Sequence, residues 1–266
     1  SGDPRRSQDG GQRRLGEFVL LEEVGRGGLG VVYRARQESL GRIVAVKTLP
    51  SFAGLDPDAV ARFRREAESA ARIAHRGIVP VYAVGEDQGT YYYAMELVDG
   101  PSLDTILAEL QGRNPSRLLG SLAAETSLED RCPGFLDARF EHAPTGALYP
   151  VSCAAIIAEL ASALTVAHHA QVIHRDLKPS NVLLRKDGRP MLVDFGLSRD
   201  QTAVGLTQSG DAVGTPSYMA PEQAFGERDL DARVDIYGLG ATLYEMLTLR
   251  PPFDGTTAVE IMRQIV

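Results

Sequence analysis

The chain has 266 residues, 44% of them apolar and 24% charged, with 28 Lys plus Arg against 35 Asp plus Glu for a formal net charge of −7. That composition suits a globular protein long enough to bury a core, and it excludes collagen-like repeats and wholesale disorder. The acidic balance offers no global attraction to nucleic acid or to an anionic membrane surface, so no nucleic-acid partner is expected and any phosphate site must be local.

Residues 1–16, SGDPRRSQDGGQRRLG, are polar, Gly-rich and aperiodic, and read as a flexible tail. Phe18–Leu21, Val31–Arg36 and Arg42–Lys47 are short β-prone runs between Gly-containing turns, which predicts an antiparallel meander. Asp56 is expected to cap a helix with Pro57 at its first position and an apolar stripe of Val60, Phe63, Ala67, Ala70 and Ala74, ending before Gly77. Two more β-prone runs, Ile78–Val84 and Tyr91–Leu97, complete a small lobe of residues 17–100. Residues 101–266 make a large lobe, which opens on a helix over Ser102–Leu110. About forty residues, 111–150, then carry Pro115, Pro133, Pro144 and Pro150 with weak periodicity; loops of that length are uncommon inside a compact domain, so they read as a surface insertion. Helical spacing resumes with Ile156, Leu160, Ala163, Leu164 and Ala167. A polar loop from Ser198 to Asp211, a helix from Asp235 through Leu247 and a short helix over Thr257–Val266 finish the chain.

Two cysteines, Cys132 and Cys153, are too few for a disulfide framework or a zinc site, and fit a reducing compartment. Both read as unreactive thiols, Cys132 beside Arg131 being the better candidate if either reacts. The apolar stretch Cys153–Ala167 is broken by Glu159 and is too short for a membrane span, so no membrane contact is expected. The chain begins at Ser1 rather than Met, as expected of a processed or excised piece.

Gly25-Arg-Gly27-Gly-Leu-Gly30 has the G-x-G-x-x-G spacing. A strand pattern follows it, not the helix a dinucleotide turn requires, so a hairpin lying over phosphates fits better. Without Cβ atoms, backbone N–H groups approach anionic oxygens closely. An ordinary Gly-rich hairpin is the plain alternative. Lys47 ends the run Val44-Ala-Val-Lys47, and Glu66 lies one helical turn from Phe63 and Ala70, on or beside the inward face. A carboxylate there costs several kcal/mol unless paired, which makes Lys47 its candidate partner. The densest signal is His174-Arg-Asp176-Leu-Lys178-Pro-Ser-Asn181 followed by Asp194-Phe-Gly196, with Ala220-Pro221-Glu222 further on.

In this order these motifs resemble the eukaryotic-type protein serine/threonine kinases, most like their bacterial members, over residues 17–266. The resemblance implies an α+β, bilobal fold: a small antiparallel β lobe with one main helix, and a mainly α-helical large lobe. It implies ATP and Mg²⁺ as cofactors and Ser/Thr-bearing proteins as substrates. Lys47 would hold the α- and β-phosphates and Glu66 would hold Lys47. Asn181 and Asp194 would ligate Mg²⁺, whose hard character suits oxygen donors. Asp176 would accept the substrate hydroxyl proton, Lys178 would neutralise charge on the transferred phosphoryl group, and Thr215 would bond to both. Val24, Val32, Ala45 and Leu183 would sandwich the adenine beneath a loop built on Gly25, Gly27 and Gly30. Met95 would be the gatekeeper, and Glu96 to Val98 the hinge with its backbone hydrogen bonds. Arg175 would bind a phosphorylated activation loop in which Thr207 and Ser209 are the candidate sites, solvated loop hydroxyls being the plain alternative. A homodimer for autophosphorylation is allowed, and the location implied is cytoplasmic, alone or as the kinase portion of a larger membrane-anchored protein.

Three features depart from the family pattern: Leu29 replaces an aromatic at the glycine-loop tip, residues 111–150 interrupt a normally short connection, and the sequence stops at Val266 where the family continues through further helices. The missing helices would carry an arginine that pairs with Glu222. They leave a catalytically weak or inactive ATP-binding scaffold as the alternative function. His168 and His169 point apart on a helix, so His168 reads as a packing histidine and not half of a metal pair.

Overall fold

The structure, a computed structural model, describes residues 13–27, 30–49, 57–112, 148–195, 216–227 and 229–266. The expectations for most of the tail, for the Asp56 cap, for residues 113–147 of the insertion and for the 198–211 loop lie outside the described residues. The chain divides into two compact units, residues 1–56 with 82–97, and residues 57–81 with 98–266.

The first unit is a six-stranded sheet in the order β1-β2-β3-β4-β6-β5, from β1 (Arg14–Leu15), β2 (Phe18–Gly27), β3 (Gly30–Gln37), β4 (Arg42–Thr48), β5 (Val81–Asp87) and β6 (Thr90–Met95). The β2–β3–β4 meander is antiparallel, as the alternating β-branched runs predict. Side chains alternate across the pleat, so register sorts them into two faces. One face is a core in which Ala35, Val44, Val46 and Ala94 are buried with Phe18, Leu20 and Tyr92. The Phe18 and Tyr92 rings meet edge-on at 5.7 Å, an arrangement the aromatic quadrupole favours. The opposite face carries Val32, Ala45, Lys47, Tyr93 and Met95, because Val32 pairs with Lys47, Lys47 with Tyr93, and Ala45 with Met95.

Strand β5 starts at Val81 instead of Ile78, since Pro80 has no N–H to donate to a ladder. Ile78 instead bridges Leu192 in the second unit, flanked by Val79 N–H to Leu192 O at 3.0 Å and Leu192 N–H to Gly77 O at 2.8 Å.

The second unit contains α1 (Pro57–Ala71), α2 (Leu103–Gly112), α3 (Leu148–His169), the hairpin β7 (Val182–Leu184) and β8 (Pro190–Leu192), α4 (Pro221–Ala224), α5 (Arg233–Thr248) and α6 (Ala258–Ile265). Its core joins Ala70, Ile73 and Ile78 to Leu103, Ile106, Leu107 and Leu110 of α2, to Cys153, Ile156, Leu160, Ala163, Leu164 and Ala167 of α3, to the hairpin, and to Met246 of α5. Each large side chain so buried stabilises the unit by about 1.5–3 kcal/mol. Shared core contacts group α1 with this unit, whereas the sequence counts it with residues 17–100. Helix α1 also ends sooner than its stripe suggests: Ala74 is exposed beyond the last turn and Ile73 is the buried residue there.

Helix α3 begins eight residues before Ile156 and runs for 22 residues. By length and composition it could cross a membrane, which the shorter stretch read from the sequence could not. Its apolar residues from Cys153 to Ala167 instead line the core already described. Helix α6 is capped by Thr257, whose side chain accepts from Glu260 N–H, and its Ile261 and Ile265 pack with Ala224, Met219 and Phe253. Helix α5 leaves Ile236, Tyr244 and Leu247 exposed.

Candidate active site

In the second unit the loop after α3 places the H-R-D segment, and its anchor is Asp235 in the first turn of α5. This carboxylate is fully buried, at 0% exposure. A charge so placed requires partners, and among the described residues it has three. Its Oδ1 accepts Arg175 N–H at 2.7 Å, and its Oδ2 accepts His174 N–H at 2.9 Å and lies 2.7 Å from His168 Nε2.

His174 Nε2 lies 2.9 Å from Val193 O, and because a carbonyl only accepts, that nitrogen carries the proton. Nδ1 is then the acceptor for Asp176 N–H at 3.3 Å. The ring also packs on Phe195 at 4.6 Å, which ties the loop to the residue after Asp194. Arg175 adopts φ +67° and Asp194 φ +62°, left-handed conformations that non-glycine residues rarely take.

Asp176, Lys178 and Asn181 converge. Lys178 Nζ donates to Asp176 Oδ2 at 2.8 Å, and Asn181 Nδ2 donates to the same oxygen at 3.1 Å and to Asp176 O at 2.7 Å. Asn181 closes the turn Pro179–Asn181, and Val193 N–H bonds to Asn181 O at 3.1 Å, continuing the β7–β8 register that sets Asp194 one residue further on. With Nδ2 spent on Asp176, the amide oxygen of Asn181 is the atom left to meet a cation. Among the described residues no group of three or more His, Cys, Asp or Glu is arranged to hold a metal ion. An amide oxygen with one carboxylate fits Mg²⁺, which commonly takes one or two protein ligands and completes its shell with water and phosphate.

Leu183 sits mid-strand in β7 and bridges Ser102, while Leu184 N–H donates to Pro101 O at 2.8 Å. A Cβ on Gly100 would overlap the Leu184 carbonyl, so only glycine permits this close approach between the 98–102 segment and β7.

In the first unit, Lys47 is only 5% exposed on the face shared with Val32, Ala45 and Met95, with its Nζ 5.8 Å from the Tyr93 ring centroid. Gly25 pairs with Val32 and Gly27 with Gly30 at the closed end of the β2–β3 hairpin. Gly30 has φ +139°, and a Cβ there would overlap the Thr48 carbonyl, so the position requires glycine twice over. Val24 falls at a register shift between Glu23 and Gly25, a bulge that leaves it 50% exposed. Glu96 follows β6 directly.

The family model for the protein kinase domain matches residues 18–266. The chain belongs to the protein kinase family. It is 39% identical over 261 residues to a probable serine/threonine-protein kinase of Streptomyces coelicolor, covering 96% of this chain and 33% of that protein. It is 38% identical to the serine/threonine-protein kinase PkaA of the same organism, over 95% of this chain and 42% of that protein. It is 33% identical to the serine/threonine-protein kinase PrkC of Bacillus subtilis, over 94% of this chain and 33% of that protein. The chain thus spans about a third to two fifths of these relatives' length.

In this kinase domain the sequence-derived residues fall into groups. Asp176, Lys178 and Asn181 are hydrogen-bonded together, with Arg175, Leu183 and Asp194 on the same loop and hairpin. Val32, Ala45, Lys47 and Met95 share one sheet face. The side chain of Glu66, and Thr215, Thr207, Ser209 and Cys132 altogether, lie outside the described residues. The sequence reading missed the clamp formed by Asp235, and also Gln223, whose Nε2 donates to Arg175 O at 2.8 Å. An aspartate opening a helix reads locally as a dipole partner, and nothing local signals that it reaches back some sixty residues.

His168 and His169 diverge as expected: His169 Nδ1 donates to Thr165 O at 2.7 Å while His168 serves Asp235. Burial pushes the Cys153 thiol up to about 11, which fits an unreactive group. Tyr218 donates to Glu245, whose carboxyl is raised by burial with Asp104 adding repulsion.

Proposed function

We propose that this chain transfers the γ-phosphate of ATP to serine and threonine hydroxyls of protein substrates. The observation that carries the reading is the Asp176 carboxylate, held by Lys178 and Asn181 on a backbone clamped from α5. The family and the relatives named as serine/threonine kinases support it, and the activity, substrates and partners of the whole protein belong to the same proposal.

Asp176 accepts a hydrogen bond from the substrate hydroxyl, aims its oxygen at the γ-phosphorus and takes up the proton as the new P–O bond forms and the bond to ADP breaks. Lys178 supplies positive charge beside that transfer, an electrostatic contribution that needs no covalent step. In the first unit, Lys47 binds the α- and β-phosphates, and Glu66 of α1 keeps the role the resemblance gives it, as the carboxylate that would hold that lysine. Gly25, Gly27 and Gly30 present backbone N–H groups. Val24, Val32 and Ala45 cover the adenine, Met95 gates its pocket, and Glu96 offers backbone hydrogen bonds. In the second unit, Val98 ends the hinge and Leu183 supports the base. Asn181 and Asp194 would hold Mg²⁺, which neutralises phosphate charge when bound.

The resemblance gives Thr215 the role of a partner that would bond to Asp176 and Lys178. Phosphate on Thr207 or Ser209 adds about −1.5 to −2 charge for Arg175 to meet. Two copies phosphorylating one another, in the cytoplasm, is the arrangement that fits.

Phosphopeptide mapping of the intact protein after incubation with ATP and Mg²⁺ tests the reading. Phosphoserine and phosphothreonine should appear and should vanish when the metal is chelated. Phosphotyrosine alone, or nucleotide binding without transfer, contradicts it, the latter in favour of a scaffold.

A further inference from the structure

Arg175 holds a left-handed conformation that persists only where its surroundings over-determine it. Asp235 fixes its N–H. The next peptide plane, linking Arg175 to Asp176, is fixed at both ends: its N–H donates to His174 Nδ1 at 3.3 Å, and its carbonyl accepts Gln223 Nε2 at 2.8 Å. The Gln223 bond is the shorter of the two. The same side-chain amide turns its Oε1 to accept Ala220 N–H at 3.1 Å. Gln223 is 8% exposed and Ala220 fully buried, so water is a poor replacement for either bond.

One amide therefore joins the peptide that carries Asp176 to the peptide just beyond the turn Pro216–Tyr218. The primary amide serves both ends, because Arg175 O needs a donor and Ala220 N–H needs an acceptor. A hydrocarbon satisfies neither, and a carboxylate satisfies Ala220 while setting a negative oxygen against the Arg175 carbonyl.

We propose that Gln223 is a positioning residue for phosphoryl transfer, which fixes the Arg175–Asp176 peptide plane and couples it to the segment ending at Ala220. This rests on the kinase reading, with Asp176 as the group that orients the hydroxyl. Rotation of that plane swings the Asp176 side chain, and a misplacement of about 1 Å at reacting groups costs of order 10²-fold in rate. Lys47 and the glycines assigned to the phosphates belong to the first unit, so KM for ATP is expected to move less than kcat.

The test compares intact wild type, Gln223→Ala and Gln223→Glu by steady-state kinetics, at a temperature where calorimetry shows all three folded. Gln223→Glu decides, because it retains the Ala220 bond and loses only the donor to Arg175. The proposal predicts that its kcat falls at least about tenfold while KM for ATP stays within about twofold, with Gln223→Ala falling no further. A Gln223→Glu kcat within about threefold of wild type, a loss shared equally by KM for ATP, or a loss confined to Gln223→Ala overturns it and leaves Gln223 as a structural brace of α4. Asp176→Asn run alongside separates the two layers: if wild type is no faster than that variant, the kinase reading itself falls and takes this inference with it.

Discussion

Within this chain the loop His174–Asn181 and the hairpin β2–β3 hold their site residues by opposite means. The loop draws partners from far along the sequence: Asp235 grips two of its N–H groups, Gln223 one carbonyl, and Val193 the His174 ring. The hairpin relies on its own ladder, a bulge at Val24, and Gly30, where a side chain would overlap the Thr48 carbonyl. The contrast follows from the task of each. A group that moves a proton must sit at one place before the substrate arrives, whereas backbone N–H groups that wrap phosphates need room and close approach.

If that contrast is right, the largest loss of stability comes from cutting the loop's anchor. Asp235→Ala strands the N–H groups of His174 and Arg175 together with His168, and should cost about 3–5 kcal/mol in urea unfolding, with Asp235→Asn costing less because one acceptor survives. A cost under about 1 kcal/mol would erase the distinction between the two regions. Gly30→Ala comes next, at about 1–3 kcal/mol, because it combines a φ of +139° with overlap on Thr48. Gly25→Ala sharpens the comparison: the nearest atom to its Cβ would be Val32 Cβ at 4.0 Å, so stability should change by less than about 0.5 kcal/mol while KM for ATP rises.

Much of this was legible in the sequence because it is local. Alternating Val44, Ala45, Val46 and Lys47 announces a strand, and the spacing of Asp176, Lys178 and Asn181 announces one loop. Register then does the rest, sorting Val32, Ala45, Lys47 and Met95 onto a single face. What stayed hidden is long-range. Gln223 and Asp235 look like ordinary helix-start residues until the fold returns them to Arg175, and Ala74 continues a periodicity after the helix has ended. The strand expected from Ile78 failed for a local reason, Pro80, that hydrophobic pattern alone outweighed.

Two smaller effects probe the second unit away from the loop. Glu245 has its pKa raised above the ordinary 4.5, so the stability it contributes is present in acid and is lost as pH climbs through the raised value. Glu245→Gln should therefore gain on wild type as pH rises from about 4.5 to 8 in paired urea titrations. A constant difference would mean that burial does not set this titration. Cys153 should label with a thiol reagent at pH 8 at least about 100-fold more slowly in the native than in the unfolded protein, since burial holds it near 11. Equal rates would contradict its place in the core.

The most direct test of the central claim, that Asp176 in its hydrogen-bonded cluster drives phosphoryl transfer, is radiolabel transfer from γ-labelled ATP to a protein substrate by wild type and Asp176→Asn. The account predicts a fall of about 10²–10⁴-fold in kcat, with ATP binding and melting temperature unchanged. Equal transfer rates would contradict it.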